Sequence, residues 1–130
     1  MPESIHEPAG LHVVLDRLVY EYDPVNTPPG TPHIFVYFLT IRNNSDTKVT
    51  LLGRKWVIQQ VDGETLVIEG DKIVGQTPTL APGEVFSYNS FHITGISSRA
   101  QGSFQGIDDM GERIMVRIPA FDLTLPEEKR

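Results

Sequence analysis

The chain has 130 residues, a formal charge of −6 and no cysteine. That length suits one domain with its own core. The cysteine count excludes disulfides and thiolate metal sites, and the acidic balance argues against long-range attraction to DNA, RNA or an acidic membrane.

Folding at this size removes roughly two thirds of the unfolded chain's surface from water, and six Phe, four Tyr and one Trp supply bulky filling. The opening MPESIHEPAG has neither the basic nor the apolar region of a signal peptide. No apolar run approaches the roughly 20 residues that cross a bilayer, and the longest, IFVYFL at 34–39, has the length of a strand. A cytoplasmic protein without membrane insertion is expected.

No segment places apolar residues at helical spacing between caps; short alternating runs recur instead, separated by turn chemistry. In LHVVLDRLVYEY, 11–22, Leu11, Val13 and Leu15 share one face, whereas Leu18, Tyr20 and Tyr22 share the other. A bulge near Asp16–Arg17 reconciles the two parities. DPVNTPPGTP, 23–32, is an exposed proline-rich loop. HIFVYFLTIRNN, 33–44, is the strongest strand, with Phe35, Tyr37, Leu39 and Ile41 predicted to face the core and Ile34, Val36 and Phe38 on the other side. KVTLLGRKWVIQQV, 48–61, and ETLVIE, 64–69, flank Asp62–Gly63, a hairpin signal.

VFSYNSFH, 85–92, alternates through Phe86 and Tyr88, and SRAQGSFQGI, 98–107, is a strand whose glycines allow close packing. A turn at DDMGE leads into RIMVRIPAFDLTL, 113–125. There Ile114, Val116 and Ile118 share a face until Pro119, after which Phe121, Leu123 and Leu125 take over. Proline cannot donate to a ladder, so Pro119 belongs at an edge or a bulge. Seven to eight strands without helical crossovers predict an all-β, antiparallel sandwich of immunoglobulin or fibronectin-III type, with a barrel as the alternative. Trp56 resembles the core tryptophan of such sandwiches.

EGDKIVGQTP, 69–78, approaches the spacing of a phosphate-binding loop. Gln76 stands where the lysine should be, and Pro78 and Pro82 prevent a following helix, so the motif lacks its charge and its context. The dinucleotide fingerprint fails likewise, because Lys72 occupies its middle glycine. The simpler reading ends a strand at Gly70 and gives Gly75 a positive φ. A weaker one makes Gly70, Lys72 and Gly75 an anion nest.

Other chemistry is sparse. His6, His12, His33 and His92 show no ligand spacing, although His12 and His33 could meet across neighbouring strands. Asp108, Asp109 and Glu112 surround Gly111 and read as solvated turn carboxylates. No nucleophile elbow or assembled acid–base pair stands out, so no catalytic residue, metal ligand or cofactor is assigned. Arg54 and Lys55 are candidates for an interaction surface; Arg54 shares a face with Trp56, and Lys55 lies opposite.

Read together, FVYFLTIRN (35–43), LLGRKWVI (51–58), EGDKIVGQTPTLAPGEVFSYNS (69–90), QGSFQG (101–106) and VRIPAFDL (116–123) resemble the ApaG family, also called the DUF525 domain. The resemblance runs from about Leu11 to Leu125. It implies an immunoglobulin- or fibronectin-III-like sandwich, and a G-x-G-x-x-G motif from which this chain departs at Lys72. Members often carry His where Lys55 stands and Gly where Phe91 stands. The resemblance also implies a link to cobalt resistance and magnesium efflux in bacteria, and a protein-binding role where the domain sits beside other modules in eukaryotes.

The expected organisation is a tail at 1–10, one domain at 11–125 and a tail at 126–130. The expected function is a non-catalytic interaction module with a protein partner and no nucleic acid, whose edge strand also permits a homodimer. The alternative is a sensor of small anions or nucleotide phosphates.

Overall fold

Alternation and turn residues resolve into eight strands in the computed structural model, which describes residues 4–126. They are β1 (Leu11–Tyr22), β2 (His33–Asn43), β3 (Val49–Gln60), β4 (Thr65–Asp71), β5 (Thr79–Leu80), β6 (Val85–Thr94), β7 (Ser98–Asp108) and β8 (Arg113–Leu123). Every pairing between them is antiparallel. One sheet has the order β1-β2-β6; the other has β4-β3-β7-β8, with the short β5 also on β3. The fold is therefore an all-β sandwich of eight strands. Its fourth strand pairs with the third rather than with the sheet of the first two, as in fibronectin type III domains.

The parity changes read from the sequence are register shifts. The β1–β2 ladder slips between Leu15 and Arg17, where a bulge returns Leu18 and Tyr20 to the interior while Tyr22 stays exposed. The β7–β8 ladder slips between Ala100 and Gly102 opposite Pro119 on an edge strand, where a missing N–H is tolerated. A third slip, between Leu51 and Gly53 on β3, was not anticipated. It moves the inward set from Val49 and Leu51 to Trp56 and Ile58.

Phe35, Tyr37, Leu39 and Ile41 are buried, as predicted for β2, and Trp56 packs in the core against Tyr37 and Phe121. Gly102 and Gly106 do allow close approach: a Cβ would collide with the carbonyl oxygens of Lys55 and Thr50 respectively. His12 and His33 do not meet, because His12 lies opposite Arg42 and His33 opposite Tyr22, at different ends of the ladder.

The sandwich closes on one side, where β1 adjoins β8. On the opposite side β6 and β4 are both free edges. The N-terminal segment runs beside β8: Met115 N donates to His6 O at 3.0 Å, and Arg117 N donates to Glu7 Oε2 at 2.7 Å. The outer portions of the expected tails, residues 1–3 and 127–130, lie outside the described residues. Among the described residues no helix is long and apolar enough to cross a membrane.

Candidate functional site

The glycine-bearing stretch is a miniature hairpin. Ile73 N donates to Gln76 O at 2.7 Å, and Gln76 N returns a bond to Ile73 O at 3.0 Å. The two residues between them, Val74 and Gly75, have φ of 48° and 76°. Two positive φ values inside a two-residue loop define a type I′ turn, whose twist matches that of paired strands. Gly75 takes the positive φ predicted for it, and no neighbour crowds its Cβ position, so backbone conformation alone calls for glycine there. The Ile73 side chain is fully buried and pins the turn to the core.

Lys72 also has a positive φ, 70°, while its side chain is exposed and its N–H donates to Leu52 O at 2.7 Å. The amides of Lys72, Ile73 and Gln76 are thus spent on protein carbonyls. Within this loop only the Val74 and Gly75 amides make no such bond among the described residues, so an anion there would meet those two amides and the neighbouring side chains.

Arg54 supplies the nearest one. The β3 bulge turns it toward the sandwich opening, where Nη1 donates to Asp71 O at 2.7 Å and Lys72 O at 3.0 Å. Gly70 makes this possible, since a Cβ there would lie 2.8 Å from the Arg54 Nη2 atom. Lys55 leaves the opposite face of β3 and pairs with Glu69 at 3.7 Å across the ladder. Both partners are solvated, so that pair stabilises by about 0–1 kcal/mol. Arg54 and Lys55 therefore do not form one surface. Arg54 joins Lys72 and Gly75 instead.

These three residues, with Tyr37, Asp71, Val74, Tyr88 and Ser90, border a cleft of about 240 Å³ between the free edge of β6 and the hairpin, so its mouth carries one carboxylate beside two cations. Burial raises the Tyr37 phenol above its ordinary range, although its hydrogen bond with Ser90 and the Arg54 charge oppose the rise. Burial also pushes the Tyr88 phenol far up. Both phenols stay protonated near neutral pH and can serve as hydrogen-bond donors, not bases.

Behind the cleft lies His92, with ring centroids 4.8 Å from Tyr37 and 4.6 Å from Trp56. Burial lowers its pKa to about 4, and its Nε2 has no hydrogen-bond partner. The site can accommodate a small polar group; Arg54 and Lys72 favour an anionic one and Asp71 opposes it.

Sequence reasoning faced Tyr37 to the core, noted Tyr88 only as alternating with Phe86, and missed their part in the cleft. The available signal was a hydroxyl at positions otherwise filled by Phe and Leu, because a tyrosine near a core needs a partner for its O–H.

Comparison with known proteins agrees with this architecture. The crystal structure of the putative ApaA protein from Bordetella pertussis superposes with a TM-score of 0.73 at 25% identity, covering 94% of this chain and 98% of that one. The structural-genomics target SoR45 superposes with a TM-score of 0.80 at 24% identity over 92% of this chain and 89% of its own, which shows the shared fold. In sequence, Protein ApaG of Deinococcus radiodurans is 40% identical over 96 residues, 73% of this chain and 75% of that protein. Protein ApaG of Acidithiobacillus ferrooxidans is 37% identical over 105 residues, 78% of this chain and 82% of that protein. The sequence profile of the DUF525 family, the ApaG domain, matches residues 25–108. The match spans β2 through β7, including the hairpin and the cleft, and the chain belongs to the ApaG domain family.

Proposed function

We propose that this chain is a non-catalytic interaction module that receives an extended segment of a protein partner along β6. The observation that carries the reading is the composition of its edges. β1 is broken by its bulge and carries Arg17 and Glu21; β4 carries Glu69 and Asp71; β8 contains Pro119 and is flanked by the His6–Glu7 segment. These are the features that keep an edge from recruiting strands.

β6 has none of them. Its ten residues, VFSYNSFHIT, contain no Asp, Glu, Lys, Arg, Pro or Gly, and its ladder with β2 runs without a slip. Apart from that ladder it makes no backbone–backbone hydrogen bond among the described residues. Phe91 is 55% exposed and stands in register with Val36 and Val19 on the outer face, with Ile93 beside Ile34 in the next row. An added strand would gain main-chain hydrogen bonds from the edge and side-chain contacts from this apolar band.

The same edge accepts a second copy of the chain, giving a homodimer. Family resemblance supports a link to cobalt resistance and magnesium efflux. The test is affinity capture with wild type, Phe91→Lys on β6 and Val67→Lys on β4, together with sedimentation of the purified chain. A partner, or a dimer, lost in Phe91→Lys and kept in Val67→Lys is the expected result. Identical behaviour of all three proteins would refute the β6 assignment.

A second reading, a sensor of small anions or nucleotide phosphates, is favoured by Arg54, which adds a guanidinium to Lys72 at the cleft mouth. Calorimetry with inorganic phosphate and with ATP tests it. Saturable binding lost in Lys72→Ala and weakened by salt supports the sensor, and no heat of binding at millimolar ligand removes it.

A further inference from the structure

We infer that His6, Asp108 and Glu112 form a binding site for one divalent transition-metal cation. Their donor atoms, one imidazole nitrogen and a carboxylate oxygen from each acid, lie within 4.8 Å of one another. Donors around a single ion at about 2.0–2.2 Å stand roughly 3–4 Å apart, so a small inward movement of the exposed His6 and Glu112 side chains closes the set. No hydrogen bond or ion pair joins the imidazole to either carboxylate, so binding a cation breaks no existing contact of that kind.

His6 is held by β8, and Asp108 and Glu112 by the turn they share. His6 is fixed through its main chain, which accepts from Met115 N at 3.0 Å and donates to Arg113 O at 3.4 Å. Asp108 is only 9% exposed, and its Oδ1 accepts from Met110 N and Glu112 N, both at 2.9 Å. Those bonds orient the carboxylate and leave Oδ2 for an ion, as outer hydrogen bonds do in built metal sites. Glu112 is set by the turn, where Asp108 N donates to its carbonyl at 2.9 Å.

His6 and Glu112 also border a surface hollow of about 310 Å³ with Ser4, Gly111 and Arg113, which gives an ion access and leaves room for water ligands. Arg113 opposes a cation, but two carboxylates outweigh one guanidinium. An imidazole with two carboxylates selects zinc, manganese, cobalt or nickel over magnesium and calcium, which favour all-oxygen shells. This site lies apart from the β6 edge and the Arg54 cleft and does not depend on the function proposed for either.

The test is calorimetric titration of tag-free, full-length chain with zinc chloride, with magnesium chloride as a parallel arm. His6→Ala and Glu112→Gln are the site variants, and His12→Ala, an exposed histidine elsewhere, is the control. Asp108 is left intact because it also holds the turn. Wild type and His12→Ala should bind one zinc per chain, while each site variant weakens binding about tenfold or more. Nuclear magnetic resonance should place the zinc-induced shifts at the His6 ring and the amides of 108–112, with magnesium leaving them in place. Absence of saturable zinc binding, or unchanged zinc binding in both site variants, would overturn the assignment. Magnesium binding as tight as zinc would also overturn it.

Discussion

Arg54 donates from Nη1 to the main-chain carbonyl of Lys72 at 3.0 Å, tying a core strand to the end of its neighbour. The same nitrogen bonds Asp71 O at 2.7 Å, so one guanidinium satisfies two carbonyls where β4 gives way to the hairpin. Arg54→Met keeps the apolar stem and removes the fork. It should cost about 1–2 kcal/mol, below the upper range for a charged donor because the site is open to solvent. Hydrogen exchange at Ile73 and Gln76 should quicken in this variant. Gly70→Ala, whose Cβ would crowd Nη2 at 2.8 Å, should produce a milder form of the same effect. Unchanged exchange in both would show that the turn holds itself.

Val74 is a β-branched residue at φ 48°, a conformation that L-residues with branched side chains rarely adopt. The left-handed backbone costs roughly 1–2 kcal/mol for such a residue. Asparagine tolerates it, so Val74→Asn should raise stability by about 1 kcal/mol in chemical denaturation. Gly75→Val, at φ 76°, should lower stability by about 1–2 kcal/mol. If Val74→Asn destabilises, the half-exposed Val74 side chain contributes more than its backbone strains.

Leu39 is completely buried at the centre of β2. Leu39→Ala should cost about 2–5 kcal/mol through lost burial and a residual cavity. Urea denaturation measures this directly, and a loss below about 0.5 kcal/mol, the range of surface positions, would place Leu39 outside the core.

His92 predicts a pH dependence. Its folded pKa, about 4, lies below the ordinary 6.5 because burial penalises the charged ring. Between those values the unfolded chain binds the proton and the folded chain does not, so stability falls as pH drops. The contribution is fully present above about pH 6.5, declines through the window and is gone below about pH 4, amounting to about 3 kcal/mol in all. His92→Phe removes the titration and retains an aromatic ring beside Tyr37 and Trp56. In denaturation curves the stability of wild type relative to His92→Phe should therefore rise between pH 4 and 6.5, by up to about 3 kcal/mol. Parallel curves between pH 4 and 6.5 would exclude His92 as the source.

The class of fold was legible in the sequence because strand alternation and turn chemistry are local properties. Phe35 through Ile41 declare their inward face at every second residue, Asp62–Gly63 closes a hairpin between adjacent runs, and the parity breaks at Asp16–Arg17 and Pro119 show within a few residues. That no helix follows EGDKIVGQTP was likewise readable from Pro78 and Pro82.

The candidate sites were legible only in part: Arg54, Lys72 and Gly75 stood out singly, but what brings residues together is assembled across pairings distant in sequence. Whether Arg54 turns toward the opening depends on a bulge between Leu51 and Gly53 whose parity change is masked by apolar residues on both faces. That β6 is an open edge follows from the order of all the strands, since its own sequence would serve equally well in the middle of a sheet. His6 reaches Asp108 and Glu112 only because its segment hydrogen-bonds to β8, whose hairpin with β7 carries both acids. Local pattern determines which way a side chain faces; only long-range pairing decides what it faces.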